Sequence, residues 1–172
     1  MHPMLNTAVK AARDAAEIIQ YGARNLDRLT VESKAPGDFV SEIDRNAEAA
    51  IVDTLLGAYP NHGIIAEEGS GATRGNPNAS HIWIIDPLDG TTNFLHGFPT
   101  YCVSIALQVE GKLTQAVIYD PNRNDLFTAS RGAGAFMNNR RVRVSKALKL
   151  RECLIGTGFP FRDGSDFDAY VT

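Results

Sequence analysis

The chain has 172 residues, 44% of them apolar and 22% charged, with 17 Lys and Arg against 20 Asp and Glu for a net charge of −3. This is the composition of one ordinary soluble domain with its own core. The acidic balance gives nucleic acid no general electrostatic pull, and no apolar run reaches the roughly 18 residues that a bilayer crossing needs.

The N-terminal stretch Met1-His2-Pro3-Met4 lacks a basic region and a following apolar run, so it is not a secretory signal and a cytoplasmic location is expected. From there, Leu5, Ala8, Val9, Ala12, Ala15, Ala16 and Ile19 recur at spacings of three and four, which predicts a helix over about residues 4–24. Ser33 to Asp38 contains Pro and Gly and reads as a loop. A second helix is expected from Ser41, with Ile43, Ala47, Ala50, Ile51, Leu55 and Ala58 on its apolar stripe and Pro60 at its end.

The period then changes. Ile64-Ile65-Ala66 and Ile82-Trp83-Ile84-Ile85 are short β-rich runs typical of buried strands. Between them, Gly69 to Ser80 reads as a polar loop. Tyr101–Val109 is expected to turn at Glu110-Gly111 into Leu113–Tyr119, and Asp120-Pro121-Asn122 into Leu126–Ser130. Asn138-Asn139 suits a tight turn into Val142–Val144. A last helix begins near Asp166. Two helices followed by hairpins predict an α+β fold with a mostly antiparallel sheet. Cys102 and Cys153 form no CxxC motif and read as buried, reduced thiols. The basic run Arg140-Arg141-Val142-Arg143, with Lys146 and Lys149, reads as a solvated hairpin, with an RNA or protein contact as the alternative.

The chemistry concentrates where the strand Ile82–Ile85 meets Asp86-Pro87-Leu88-Asp89-Gly90-Thr91-Thr92. In a continuing strand, positions i and i+3 point to opposite faces. Pro87 lacks an N–H and helps to end the strand, so a turn can bring Asp89 beside Asp86 with the Leu88 carbonyl between them, free of any ladder. Two carboxylates and a carbonyl suit Mg²⁺. Gly90 allows close backbone approach, and a short helix starting there would offer amides to a phosphate. Metal and phosphate on one loop are what metal-assisted phosphate-ester hydrolysis requires. Glu67 and Glu68 end another apolar strand, and only one of them can face a shared site; a solvated strand end is the alternative. Ser41 and Asp44 fit a helix cap as well as a catalytic acid. Lys34 reads as an ordinary loop lysine unless it stands near phosphate. P-loop, dinucleotide-binding, HExxH and EF-hand patterns are absent. A haloacid-dehalogenase-type phosphatase needs acids at i and i+2 after a strand, whereas these lie at i and i+3.

Ile84-Ile85-Asp86-Pro87-Leu88-Asp89-Gly90-Thr91-Thr92-Asn93-Phe94 resembles the first signature of the inositol monophosphatase family, which is Mg²⁺-dependent and lithium-sensitive. Ile65-Ala66-Glu67-Glu68 resembles its metal-binding glutamate strand, and Asp38-Phe39-Val40-Ser41-Glu42-Ile43-Asp44 its D-x-V-T-x-x-D segment. Tyr119-Asp120-Pro121, Leu126–Ala129 and Gly156–Phe161 are similar to the bacterial SuhB branch. The likeness runs from Met1 to about Tyr170.

The resemblance implies that Glu67, Asp86, Asp89 and the Leu88 carbonyl hold metal. It implies that Asp89, Gly90, Thr91 and Thr92 bind substrate phosphate, and that Asp44 pairs with the Thr91 hydroxyl to activate the attacking water. Lys34 is then an accessory residue near the site. The implied cofactor is Mg²⁺, with Mn²⁺ able to substitute, and the implied substrate a small phosphorylated polyol or sugar hydrolysed without a phosphoenzyme. A homodimer is implied, with no membrane and no nucleic-acid partner. The implied fold is two long helices on a large mostly antiparallel sheet. The family's W-D-x-A-A-G segment, which adds a metal-binding aspartate, has no counterpart here. Residues 1–155 are therefore expected to be the metal- and phosphate-binding domain, residues 156–172 the start of a second domain, and turnover by the chain weak. The competing expectation is a non-catalytic module of SuhB type that contacts transcription or RNA machinery.

Overall fold

The computed structural model describes the chain except residues 1, 30, 36–37, 68–73, 159–166 and 172; the side chains of residues 28, 31–35, 38–41, 167 and 171 also lie outside the description. Helix α1 runs Pro3–Ala23. Pro3 loses no hydrogen bond at the first helical turn, and His2 Nδ1 accepts from the Met4 amide at 3.3 Å. Its buried face holds Leu5, Ala8, Ala12, Ala15, Ala16 and Ile19 from the stripe read in the sequence, with Ala11 and Gly22 added and Val9 only partly buried. Strands β1 (Val31–Ala35) and β2 (Asp38–Ser41) form an antiparallel hairpin, where a loop is expected from sequence. The Pro-Gly signal marks a turn, and nothing in so short a segment announces the strands on either side.

Helix α2 (Glu42–Ala58) follows, with Ile43, Ala47, Ile51 and Leu55 buried. The remaining strands are β3 (Gly63–Ala66), β4 (Arg74–Gly75), β5 (His81–Asp89), β6 (Cys102–Val109), β7 (Lys112–Asp120), β8 (Asp125–Ser130), β9 (Gly134–Met137) and β10 (Arg140–Arg141). Short helices α3 (Thr91–Leu95) and α4 (Phe167–Val171) complete the described elements, with 3₁₀ turns at Leu26–Arg28 and Leu150–Glu152.

Eight strands make one sheet in the order β10-β9-β8-β7-β6-β5-β3-β4, and only β3 and β5 pair in parallel. The fold is α+β, with two long helices on a mostly antiparallel sheet. Helices α1 and α2 pack together over one face of it. Ile64, Trp83, Ile85, Val103, Ile105, Leu107 and Val117 point into that layer and are buried. Each such aliphatic side chain contributes about 1.5–3 kcal/mol. On the opposite face Ile65, Ile118 and Phe127 remain 40%, 44% and 38% exposed, so the sheet is covered on one side only by the described residues.

The hairpin turns follow their residues. Glu110 and Gly111 both take positive φ (50° and 76°), as do Asn138 and Asn139 (48° and 65°), the geometry of turns that match strand twist. The strand expected at Val142–Val144 is instead the two-residue β10, just upstream. Val142 donates to the Ala135 carbonyl at 2.9 Å, and Val144 beyond it is 94% exposed. With nothing to bury those valines, their β propensity has no partner to act on. Cys102 is half-buried and Cys153 exposed, so the expectation of two buried thiols fails for Cys153, which follows an exposed 3₁₀ turn. No helix among the described residues is long and apolar enough to cross a membrane.

Candidate metal and phosphate site

Parallel pairing makes β3 and β5 end at the same edge. The register Ile65↔Ile84 and Ala66↔Ile85 places Glu67 beside Asp86, and the Glu67 amide donates to the Ile85 carbonyl at 3.3 Å.

Strand β5 does not stop at Pro87. It continues to Asp89, and its pairing with β6 shifts from Asp86↔Ser104 to Asp89↔Cys102. Three steps on β5 match two on β6, which is a bulge of one residue. A bulge reverses the alternation of side chains, so Asp89 returns to the side of Asp86. The proline at the non-pairing position fits such a bulge. In place of the turn expected after Pro87, a bulge brings Asp89 to the side of Asp86.

Asp86 is half-buried, and its carboxyl is pushed up to about 8. Burial is the largest cause, followed by the Glu67 charge, a hydrogen bond with Glu67 and the Asp89 charge; the Leu88 amide, which donates to Asp86 Oδ1 at 3.2 Å, opposes them. Glu67 and Asp89 thus both press on Asp86, and a proton on Asp86 relieves the repulsion. No ready-made cluster of three His, Cys, Asp or Glu ligands exists among the described residues; the acids are coupled without being gathered around a common point. The donor set nevertheless fits a hard divalent cation: carboxylate oxygens and a carbonyl, with an excess of negative charge that a cation would offset.

The Leu88 carbonyl is not free of contacts. It accepts from Thr91 Oγ1 at 3.1 Å, which leaves its second lone pair. Gly90 takes φ 102°, and a Cβ there would lie 3.0 Å from the Thr100 carbonyl oxygen and 3.1 Å from Tyr101 Cβ. Only glycine fits this corner. The corner opens α3, whose first amides have no partner within the helix. Thr92 is exposed on α3.

Asp44, on the first turn of α2, is 1% exposed and accepts from Thr91 Oγ1 at 2.8 Å. Thr91 has one hydroxyl proton for two acceptors. The shorter bond to the carboxylate is the stronger, so the proton points at Asp44. Lys34 stands on β1, and its side chain lies outside the described residues, as do Glu68 and the side chain of Ser41.

Sequence reasoning passed over Tyr101, Cys102 and Asp120. With Asp89 and Gly90 they line a cavity of about 350 Å³. Cys102 Sγ donates to Asp89 Oδ2 at 3.8 Å, and its thiol is pushed up to about 12, first by burial and then by Asp89, Asp86 and Asp120. The pairing of β6 against the bulge brings Cys102 there, and no local motif announces it. A larger hollow of about 590 Å³, lined by His2, Thr128 and Phe136 among others, has no carboxylate in its wall. Size does not select the site; the coupled acids do.

The sequence profile of the inositol monophosphatase family matches residues 1–170. The chain belongs to that family. Nus factor SuhB of Pseudomonas aeruginosa is 52% identical over 99% of this chain and 64% of its own length. The crystal structure of extragenic suppressor protein SuhB from Bartonella henselae matches with a TM-score of 0.93 at 42% identity, covering 99% of this chain and 64% of that one. An IMPase/NADP phosphatase crystallised with Mg²⁺ and phosphate matches at TM-score 0.66 and 29% identity, over 77% of this chain and 51% of that one. The chain therefore spans less than two thirds of the length of these relatives. As an inositol monophosphatase family member it has the family's sheet and long helices, with the coupled acids at the sheet edge.

Proposed function

We propose that this chain carries the metal- and phosphate-binding part of a phosphate monoester hydrolase that acts on inositol monophosphate or a related small phosphorylated polyol or sugar in the cytoplasm. The observation that carries the reading is the Thr91–Asp44 hydrogen bond of 2.8 Å beside the coupled acids Glu67, Asp86 and Asp89. Membership of the family supports it, and the neighbour bound to Mg²⁺ and phosphate supports a divalent cation, with Mg²⁺ as the working ion and Mn²⁺ as a substitute.

Glu67, Asp86, Asp89 and the Leu88 carbonyl would hold the cation. Once bound, it would neutralise the acids and supply positive charge to the phosphoryl oxygens and the leaving alkoxide. The chain's own groups do the rest. The amides at Gly90, Thr91 and Thr92 donate to phosphate oxygens at the start of α3. Thr91 Oγ1 takes a proton from the attacking water as it passes its own hydroxyl proton to the Asp44 carboxylate it already donates to. Water attacks phosphorus in line as the bond from phosphorus to the ester oxygen breaks, and the leaving alkoxide takes its proton from solvent water. Lys34, on its strand near Asp44 in sequence, is an accessory for anion binding in this scheme.

Calorimetric titration of Mn²⁺ with phosphate present, into wild type and Asp86→Asn, tests the reading. Saturable binding lost in the variant supports it; no binding in either refutes a working metal shell in this chain.

A second reading has its own support. The Pseudomonas aeruginosa relative is named a Nus factor, and Arg140, Arg141 and Arg143 are exposed. On this reading the chain is a non-catalytic module contacting transcription or RNA machinery. Asp89→Asn separates the two: it abolishes hydrolysis under the first and leaves partner binding intact under the second.

A further inference from the structure

Among the described residues the buried carboxylates are Asp44 and Glu48, at 1% and 2% exposure. They stand four residues apart on α2, and so one above the other on the same helix face. Asp44 meets Thr91. Glu48 is not used by the chemistry proposed above, yet burying a carboxylate is expensive unless a partner compensates it. Its Oε1 lies 3.1 Å from Arg74 Nη2, with the arginine side chain 46% exposed. The arginine end of the pair is solvent-screened, where an ion pair contributes little to stability, so the pair invites a further role.

Topology gives it a purpose. Arg74 belongs to β4, whose backbone pairs antiparallel with β3 at Ile64↔Arg74 and Gly63↔Gly75. β3 is four residues long and delivers Glu67 from its end. β5 fixes β3 on one side, and the two-residue β4 lies on the other. The ion pair, buried at its glutamate end only, ties that short, exposed strand to α2. One helix face therefore carries two carboxylates: one accepts from the threonine that opens α3, and the other pairs with the strand that flanks the start of β3, the strand leading to Glu67.

We propose that Glu48 and Arg74 are positioning residues. Through their pair, α2 holds β4 against β3, the strand that leads to Glu67, and so sets the affinity of the coupled acids for a divalent cation. This rests on the reading of the cluster as a metal site, and the test separates the two.

The 172-residue chain is titrated with Mn²⁺ by calorimetry as wild type, Arg74→Met, Arg74→Lys, Glu48→Gln and Asp86→Asn. Val117→Ala, a core change on β7, serves as a control of lowered Tm. Arg74→Met and Glu48→Gln are expected to weaken Mn²⁺ binding about tenfold, the scale of groups that orient metal ligands. Arg74→Lys recovers most of it, and Val117→Ala keeps wild-type affinity despite its lower Tm. Should Arg74→Met fail to fold, the near-isosteric Glu48→Gln carries the test alone. Unchanged affinity in Glu48→Gln, with binding abolished in Asp86→Asn, overturns the positioning role and keeps the metal site. Affinity that falls equally in Val117→Ala overturns it too, because the loss then follows stability. Absence of binding in wild type overturns the site and the positioning role together.

Discussion

Thr91 Oγ1 lies 2.8 Å from Asp44 Oδ1, joining the first turns of two helices across 47 positions of sequence. The carboxylate is buried, so the bond is made away from competing water. Removing one partner of a buried hydrogen bond costs about 1–3 kcal/mol. Thr91→Val keeps the shape and deletes the hydroxyl. It is expected to lower stability to urea by that amount and to abolish whatever phosphate-ester turnover the chain supports. Thr91→Ser restores both. Equal urea midpoints for wild type and Thr91→Val would show that the bond contributes nothing to the folded state.

The corner before Thr91 permits one residue type. Gly90→Ala meets a left-handed φ of 102° and a contact of 3.0 Å to the Thr100 carbonyl oxygen. Strain of this kind costs about 1–3 kcal/mol. The corner has to move to relieve it, and the α3 amides move with it. Phosphate protection against thermal unfolding is expected in wild type and not in Gly90→Ala. Equal protection in the two would mean that phosphate binds elsewhere.

Much of this was legible in the sequence because the signals are local. The helix stripes rest on periodicity, and the turns at Glu110-Gly111 and Asn138-Asn139 on residues that accept positive φ. The strand ends are legible too, since an apolar run meeting an acid is visible in one dimension. The rest depends on pairing. Pro87 signals an interruption, but a bulge and a turn look alike until Cys102 and Ser104 are seen opposite. Cys102 and Asp120 come to the cavity through the β6 and β7 register, which the sequence does not print. The Asp44 role was equally compatible with a helix cap, and the Thr91 contact, 47 positions away, is invisible in one dimension.

Trp83 is the chain's one tryptophan, and its indole N–H donates to His62 Nδ1 at 3.1 Å. That nitrogen must carry a lone pair, so His62 is neutral here, with its proton on Nε2. His62 also stacks on His81 with ring centroids 4.8 Å apart. Its pKa lies below the ordinary 6.5, through burial first and the His81 charge second. The unfolded chain therefore gains this proton at higher pH than the folded one, and stability is lost as pH falls through 6.5. Protonation would set two N–H groups against each other. Trp83 fluorescence is expected to titrate with a midpoint below 6.5, and the transition should vanish in His62→Gln. A midpoint at or above 6.5 would contradict the half-buried, neutral assignment.

Asp86 gives the opposite sign. Its carboxyl is raised from 3.8 to about 8 by burial, by Glu67 and by Asp89. Between those values the folded chain holds a proton that the unfolded chain has released. Without added metal, the stability tied to this group is therefore fully present below about pH 4 and is lost as pH rises through about 8. Asp86→Asn resembles the protonated form at every pH. The Tm of wild type minus that of Asp86→Asn should fall steadily from pH 5 to pH 9, a range chosen to bracket the raised value. A divalent cation favours the ionised form, so saturating Mg²⁺ should flatten or reverse the trend in wild type only, with proton release on binding near neutral pH. A Tm difference that stays flat with pH in metal-free buffer would mean that Asp86 ionises freely, and that Glu67 and Asp89 do not press on it in solution.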